Sequence, residues 1–224
     1  NRGDLIGVPY VDGYGPDFDK SALGLRKPAR MESYRGFVFA HLSPTDESLG
    51  EYLGRAKDEI DRLVDASPEG EIEVRAGAQK YEYPANWKLQ AENWLDGNHP
   101  QFVHETAFQV LTSRAADEAS SESVSGRWPG TARTFVHGHG VIGAPHADDI
   151  PEIAEEWEKG IKRKPEYFQK LAKRLGEKRA KEVMNHTVHC YVFPNLLLYN
   201  YRDESYRNQH FRIVQPVAVD RSRI

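Results

Sequence analysis

The segment from Asn86 to His104 restricts the fold more than any other stretch of this chain. It reads Asn-Trp-Lys-Leu-Gln-Ala-Glu-Asn-Trp-Leu-Asp-Gly-Asn-His-Pro-Gln-Phe-Val-His. Two imidazoles, His99 and His104, stand five residues apart, and Asp96 lies three residues before the first. On an ideal helix a five-residue step turns a side chain by about 140°, so the two rings would diverge. Asp96 and His99 would be neighbours on the same helix face. For both imidazoles to reach one ion, the helix has to loosen or end between Gly97 and Pro100, because Gly loses more backbone entropy in a helix and Pro lacks the amide donor. Iron in oxygen-activating enzymes is often held by two neutral imidazoles and one carboxylate, with further positions open for O2. His99 and His104 fit the imidazole half of that set.

Composition narrows the remaining classes. At 224 residues with 39% hydrophobic content, the chain has the material for a real core in one or two domains. A net charge of -4 and the absence of a long basic run argue against nucleic acid as a partner. The run from Lys170 to Lys181 interleaves Lys with Glu and reads as a solvated helix face. No apolar run reaches membrane-spanning length and the first residues do not form a signal peptide. The single Cys, Cys190, rules out an internal disulfide framework and fits the reducing cytoplasm.

Along the chain, residues 1–45 read as short strands and turns, with Tyr34 to Leu42 as an aromatic and β-branched strand. Pro44-Thr45 marks a boundary. Asp46 then caps a helix bearing Leu49, Leu53, Ile60, Leu63 and Val64, which Ser67-Pro68-Glu69-Gly70 stops. Glu71 to Pro84 alternates as a strand. Residues 112–130 are Ser-, Ala-, Asp- and Glu-rich, as a surface loop would be. Arg133 to Ile142 reads as a strand that places His137 and His139 on one face; alone the pair is open to a metal site. A helical stretch capped by Asp148 or Asp149 runs to about Met184, broken near Lys164-Pro165. Thr187–Tyr201 and Gln209–Val219 are two further strands around a turn at Arg202-Asp203-Glu204-Ser205. Helices among antiparallel strands predict an α+β fold.

The string Asn86-Trp87-Lys88, then Glu92-Asn93, then Asp96-x-x-His99-x-x-x-x-His104 resembles the iron-binding segment of the alpha (large, catalytic) subunit of Rieske-type aromatic-ring-hydroxylating oxygenases. It departs from that pattern at Asn98, where the family usually has Tyr. This touches the electron or substrate path and leaves the histidine pair intact. Val8-Pro9-Tyr10, Phe18-Asp19 and Tyr34-Arg35-Gly36-Phe37-Val38-Phe39-Ala40-His41-Leu42-Ser43-Pro44 resemble the tail of a Rieske domain. Val192-Phe193-Pro194-Asn195-Leu196-Leu197-Leu198 and Gln215-Pro216-Val217 resemble the strands that line the family's substrate cavity.

The resemblance implies a curved antiparallel sheet wrapped around a helix, a helix-grip-like catalytic domain at 46–224. It also implies that 1–45 is the end of a Rieske domain whose Cys-x-His and Cys-x-x-His cluster ligands would precede residue 1. The third iron ligand, an acidic residue, would lie past Ile224; Asp203, Glu204 and Asp220 have the wrong local context for it. The chain is thus expected to be an internal piece of a longer polypeptide. Asp96 would bond a ligand His and link the iron to the cluster of a neighbouring subunit, since carboxylates orient metal-bound His. Asn93 and Trp94 would flank the iron, with His189 and Tyr199 facing the cavity. For His137 and His139 the resemblance implies a pocket-wall or core role instead of a metal site. The implied activity is hydroxylation or cis-dihydroxylation of an aromatic ring. It uses O2, mononuclear iron(II), a [2Fe-2S] cluster, and electrons from NAD(P)H through a reductase, with or without a ferredoxin. The Ser67-Pro68-Glu69-Gly70 stretch, Glu73-Val74 and the Tyr-rich strand look most like the branch acting on benzoate-type acids. A trimer of alpha subunits, with or without three beta subunits, is implied as well.

Two other readings fit the residues. A helix wrapped by a sheet makes an apolar cavity that binds a small ligand without catalysis. Alternatively, His99 and His104 hold zinc while Glu92 or Asp96 acts as the base of a hydrolase.

Overall fold

The structure, a computed structural model, describes residues 3–74, 77–107, 109–110, 131–143, 158–185, 188–202 and 207–224. The expected loop at 112–130, the Asp148 or Asp149 cap, and Asp203 and Glu204 lie outside these residues. The chain forms two compact units, Asn1–Tyr52 and Leu53–Ile224.

The first unit carries two 3-10 turns, Val11–Tyr14 and Lys20–Leu23, and a hairpin of β1 (Arg30–Tyr34) and β2 (Phe37–His41). The expected strand from Tyr34 to Leu42 is therefore divided. Arg35 and Gly36 both have positive φ, 50° and 87°, as a tight hairpin turn requires, and Tyr34 belongs to the strand before it. Ser48 and Glu51 form a capping box at the start of α1 (Leu49–Leu53): the Glu51 N–H donates to Ser48 Oγ at 3.2 Å, and the Ser48 N–H to the Glu51 carboxylate at 2.8 Å. Ser48, rather than Asp46, thus caps the helix.

In the second unit, α2 (Ala56–Asp65) buries Ile60, Leu63 and Val64. The expected strand over 71–84 shrinks to β3 (Glu82–Tyr83), with Glu71–Val74 exposed and outside any strand. β3 lies in a three-stranded sheet of order β3-β10-β9, with β9 Gln215–Ala218 and β10 Arg221–Arg223. The larger sheet is antiparallel and five-stranded, in the order β4 (Thr131–Thr134), β5 (Gly140–Gly143), β6 (Val188–Val192), β7 (Leu196–Arg202), β8 (Arg207–Ile213). The fold is accordingly α+β, with antiparallel sheets.

Three sequence expectations are corrected here. His137-Gly138 is not in a strand: it forms the turn of the β4–β5 hairpin, with His137 at φ 62° and Gly138 at φ 78°. The expected strand 187–201 folds back on itself at Phe193-Pro194-Asn195, where Pro194 has no N–H to give to a ladder. The expected strand 209–219 changes sheet after Ile213, where the Val214 N–H bonds the Asn195 carbonyl. The helical stretch at 158–163 gives way to α5 (Pro165–Leu175) with Pro at its first turn. Gly176, at φ 81°, then separates α5 from α6 (Glu177–Asn185). Leu171, Ala180, Val183 and Met184 pack with Ala66 into one core cluster. Tyr167 Oη donates to the Ala66 carbonyl, and Arg174 to the Asp65 and Ser67 carbonyls, so the C-terminal end of α2 is capped by this helical pair.

The register of the five-stranded sheet sets the site. Ile142, His189, Tyr199 and His210 are successive cross-strand partners, and so are Gly140, Tyr191, Leu197 and Arg212. Strand alternation puts both rows on one face, and α3 (Trp87–Leu95) lies on that face. Trp94, Tyr191, Leu197 and Val214 form the core between them.

Candidate metal centre

Asn86 caps α3, its Oδ1 accepting from the Lys88 N–H at 3.0 Å while its Nδ2 donates to the Val219 carbonyl at 2.6 Å. The helix ends at Leu95, and Asp96 is already extended (φ -93°, ψ 110°). A single turn, α4 (Pro100–Val103), follows with His99 and His104 at its two ends. This break solves the angular problem posed by the five-residue spacing. The His99 and His104 rings come to 5.3 Å between centroids at 68°.

Two glycines allow the helix end to settle on the sheet. A Cβ on Gly97 would stand 2.6 Å from Ile142 Cδ1, and a Cβ on Gly140 would stand 2.6 Å from Leu95 Cδ1. Each glycine therefore accommodates an aliphatic side chain of the other element.

Asp96 organises the turn. Its Oδ1 accepts from the Asn98 N–H at 2.8 Å, and its Oδ2 lies 3.2 Å from His99 Nδ1. The bond from the Asn98 N–H, followed by the His99 N–H and the His99 ring, holds its carboxyl below the usual carboxylate range. The Asp96 side chain is 43% exposed and that of His99 only 19%. His99 Nδ1 is sealed from solvent, with the Asp96 carboxylate at ion-pair distance and no aligned hydrogen bond. Such a carboxylate–imidazole arrangement is the usual support of a metal-bound His.

The 5.3 Å spacing of the rings can be set against the spacing of two imidazoles on one ion. With a metal–nitrogen bond of about 2.1 Å a ring centroid stands roughly 3.2 Å from the metal, so two ligand imidazoles at right to tetrahedral angles have centroids roughly 4.5–5.3 Å apart. Among the described residues no group of three His, Cys, Asp or Glu forms a complete ligand set. His99 and His104 stand there as a pair of imidazoles with Asp96 beside the first.

Beneath α3 lies a cluster of rings. Trp94 is 4% exposed, and its Nε1 donates to the Cys190 carbonyl at 3.2 Å. Its ring meets His189 (5.1 Å), Tyr199 (5.7 Å) and His210 (6.0 Å), and the Arg212 guanidinium stands 4.8 Å from its centroid. Arg212 Nε donates to His210 Nε2 at 3.3 Å. Burial pushes His189 down to about 4 against the pull of its hydrogen bond to the Trp94 backbone. Burial, then the Arg212 charge, takes His210 to about 4 as well. Both rings are neutral near pH 7. His189, so bonded and stacked, supports the helix.

Of the residues singled out from sequence, Asp96, His99 and His104 come together at the end of α3. Trp94, His189 and Tyr199 gather beneath it, and Asn93 is on its exposed side. His139 is 1% exposed, its Nδ1 accepting from the Phe193 N–H at 3.0 Å, which makes it a core residue. His210 and Arg212 were not anticipated. Their alternation was present in His210-Phe211-Arg212, but nothing local says which face of β8 meets α3.

The sequence profile of the family described as "Ring hydroxylating alpha subunit (catalytic domain)" matches residues 71–224. The chain belongs to this family of ring-hydroxylating oxygenase alpha subunits. It is 34% identical over 238 residues to the anthranilate 1,2-dioxygenase large subunit of Acinetobacter baylyi, covering 99% of this chain and 47% of that protein. Against the toluate 1,2-dioxygenase subunit alpha of Pseudomonas putida it is also 34% identical, covering 100% of this chain and 48% of the relative. A solved structure of naphthalene 1,2-dioxygenase with indole bound in the active site superposes with a TM-score of 0.62 at 25% identity, over 99% of this chain and 48% of that one. The chain thus spans about half the length of these relatives. No helix among the described residues is long and apolar enough to cross a membrane.

Proposed function

We propose that this chain is the iron-binding part of an aromatic-ring oxygenase acting on a benzoate-type acid. The observation that carries the reading is the pairing of His99 and His104 across the break after α3, with Asp96 against His99 Nδ1. His99 and His104 would hold mononuclear iron(II), with an acidic third ligand from outside the described residues. Bound there, iron supplies the activation of O2 toward the aromatic ring, with electrons from NAD(P)H through a reductase and a [2Fe-2S] cluster.

The residues of this chain have separable tasks. Asp96 keeps the proton of His99 on Nδ1 and fixes the ring plane. Its half-exposed carboxylate faces outward, where a neighbouring alpha subunit could present the cluster in an oligomer. Trp94, His189 and Tyr199 form a floor of neutral rings below α3, and Asn93, on the exposed side of the helix, would flank the ion only as the family resemblance implies. The benzoate-type substrate class rests on similarity to subunits named for anthranilate and toluate.

Metal analysis of the anaerobically purified full-length protein tests the centre. About one mononuclear iron per subunit is expected, lost in His99→Ala and in His104→Ala while the cluster absorption persists. Full iron in both variants, or zinc in place of iron, overturns the assignment. Asp96→Asn should keep iron and fold and slow cluster reoxidation, on mixing with substrate and O2, by about 10- to 100-fold. Normal reoxidation would leave Asp96 with a local turn-forming role alone.

A further inference from the structure

We infer that Arg212 is a positioning residue for the metal-bearing end of α3, acting through Trp94. The inference rests on the proposed metal centre, and it concerns a residue three strands away from Gly140 in the same cross-strand row. Four observations converge on it.

First, the Arg212 guanidinium lies 4.8 Å from the centroid of Trp94, and Trp is the strongest cation–π acceptor among side chains. Second, Arg212 Nε donates to His210 Nε2. This fixes His210 as an acceptor at that nitrogen and makes it the neutral ring that stacks on Tyr199 at 4.7 Å. Third, Tyr199 stacks in turn on His189 at 4.6 Å, and His189 bonds the Trp94 backbone. The chain of contacts starts at Arg212, crosses β8, β7 and β6, and returns to the residue it started against. Fourth, Trp94 is held at both ends, its Nε1 on the Cys190 carbonyl and its backbone on His189. It also stands two residues before Asp96 and five before His99.

A closed loop of this kind fixes the rotation of α3 about its own axis. The glycine contacts set how near the helix end lies to the sheet, but a side chain inserted into a gap does not by itself stop the helix turning. The Trp94 plate does, because it is gripped by a cation on one side and by His189 on another. The recorded contacts of the Arg212 guanidinium are the Trp94 indole and His210 Nε2. The groups facing His210 are Tyr199 on β7, Arg212 on its own strand, and Trp94 from α3. Those facing His189 are Tyr199 and Trp94, with His210, Arg212 and His99 acting through space.

The test uses Arg212→Met and Arg212→Lys in the full-length protein, alone and in a Trp94→Phe background. Met keeps much of the apolar stem that packs beside the ring; Lys restores a point charge without the planar fork. Two readouts are taken besides activity: cobalt(II) affinity with its visible ligand-field bands, and hydrogen exchange at the Trp94 indole N–H. Arg212→Met should fold, weaken cobalt binding by about tenfold with altered bands, and speed indole exchange by at least about tenfold. Arg212→Lys should recover part of both. In the Trp94→Phe background Arg212→Met should change cobalt affinity by less than about twofold, since the coupled partner is already gone.

Unchanged affinity, bands and exchange in Arg212→Met overturn the proposal, as does a full additive loss in the Trp94→Phe background. Unfolding of both Arg212 variants does so too, because the residue is then only a requirement of the fold. A wild-type protein that binds cobalt no better than His99→Ala would sink the metal centre instead, and the indole exchange would then decide the clamp by itself.

Discussion

The two faces of β6 are built from different materials. One presents Val188, Cys190 and Val192, which share their face with Leu196 and Leu198 of the paired strand, and all of them are buried. The other presents His189 and Tyr191, partnered by Tyr199 and Leu197. The aliphatic face gains stability from burial, and its buried amide, Asn200 opposite Val188, accepts from Gln209 Nε2 at 2.9 Å. The ring face has to desolvate two imidazoles and an indole N–H, and it recovers that cost only through specific partners. An interior that merely held the chain together would favour the first material on both sides. The second material is found where α3, the helix that leads into Asp96 and His99, is seated. The contrast shows that the ring face supplies orientation while the aliphatic face supplies stability.

The largest effect is expected on the aliphatic face. Leu198→Ala should destabilise by about 3 kcal/mol, within the usual span for a buried Leu, as measured by denaturant unfolding. Cobalt affinity of the folded variant should stay within about twofold of the parent. A large loss of metal affinity there would erase the division of labour between the faces.

Acid should attack the ring face. The folded state holds His189 near 4, whereas an unfolded imidazole titrates near 6.5. Between these values the unfolded chain binds a proton that the folded chain refuses, so stability falls as pH drops. The contribution is fully present above pH 6.5 and is lost progressively down to about pH 4, on the order of 3 kcal/mol for His189. His210 adds to the same trend, with its share reduced by screening because it is only half-buried. His189→Leu should flatten the stability–pH profile in this window. An unchanged slope would mean that other groups set the acid response.

The smallest effect sharpens the role of His189. Its hydrogen bond goes to the Trp94 backbone, so His189→Leu should lower kcat/KM by about tenfold, or about 1.4 kcal/mol, equally on an aromatic acid and on its neutral analogue. A loss confined to the acid would show instead that His189 addresses the substrate carboxylate.

How far the sequence could be read depended on whether the deciding force was local. The end of α3 was legible because Gly97 and Pro100 act on their own backbone. The hairpin at His137-Gly138 was not, since His137 takes a left-handed conformation that the β4–β5 pairing imposes. The turn at Phe193-Pro194-Asn195 had its signal in Pro194, but the apolar residues on both sides read equally well as one strand. The transfer of the chain from β8 to β9 follows from pairing with β10 and the contact of Val214 with Asn195. The site divides the same way. Asp96, His99 and His104 form a local motif, whereas Arg212 reaches Trp94 only through the register of three strands.

The reciprocal glycines at positions 97 and 140 carry a mechanical consequence. With Leu95 and Ile142 each seated against the other element's bare backbone, the last turn of α3 shares the stiffness of the sheet up to Gly97. Among the described residues the single turn of α4 shows no such glycine contact, and Phe102 and Val103 are 79% and 71% exposed. The packing against the sheet thus reaches the helix end just before the turn that bears Asp96 and His99, and the turn itself rests on the Asp96 carboxylate.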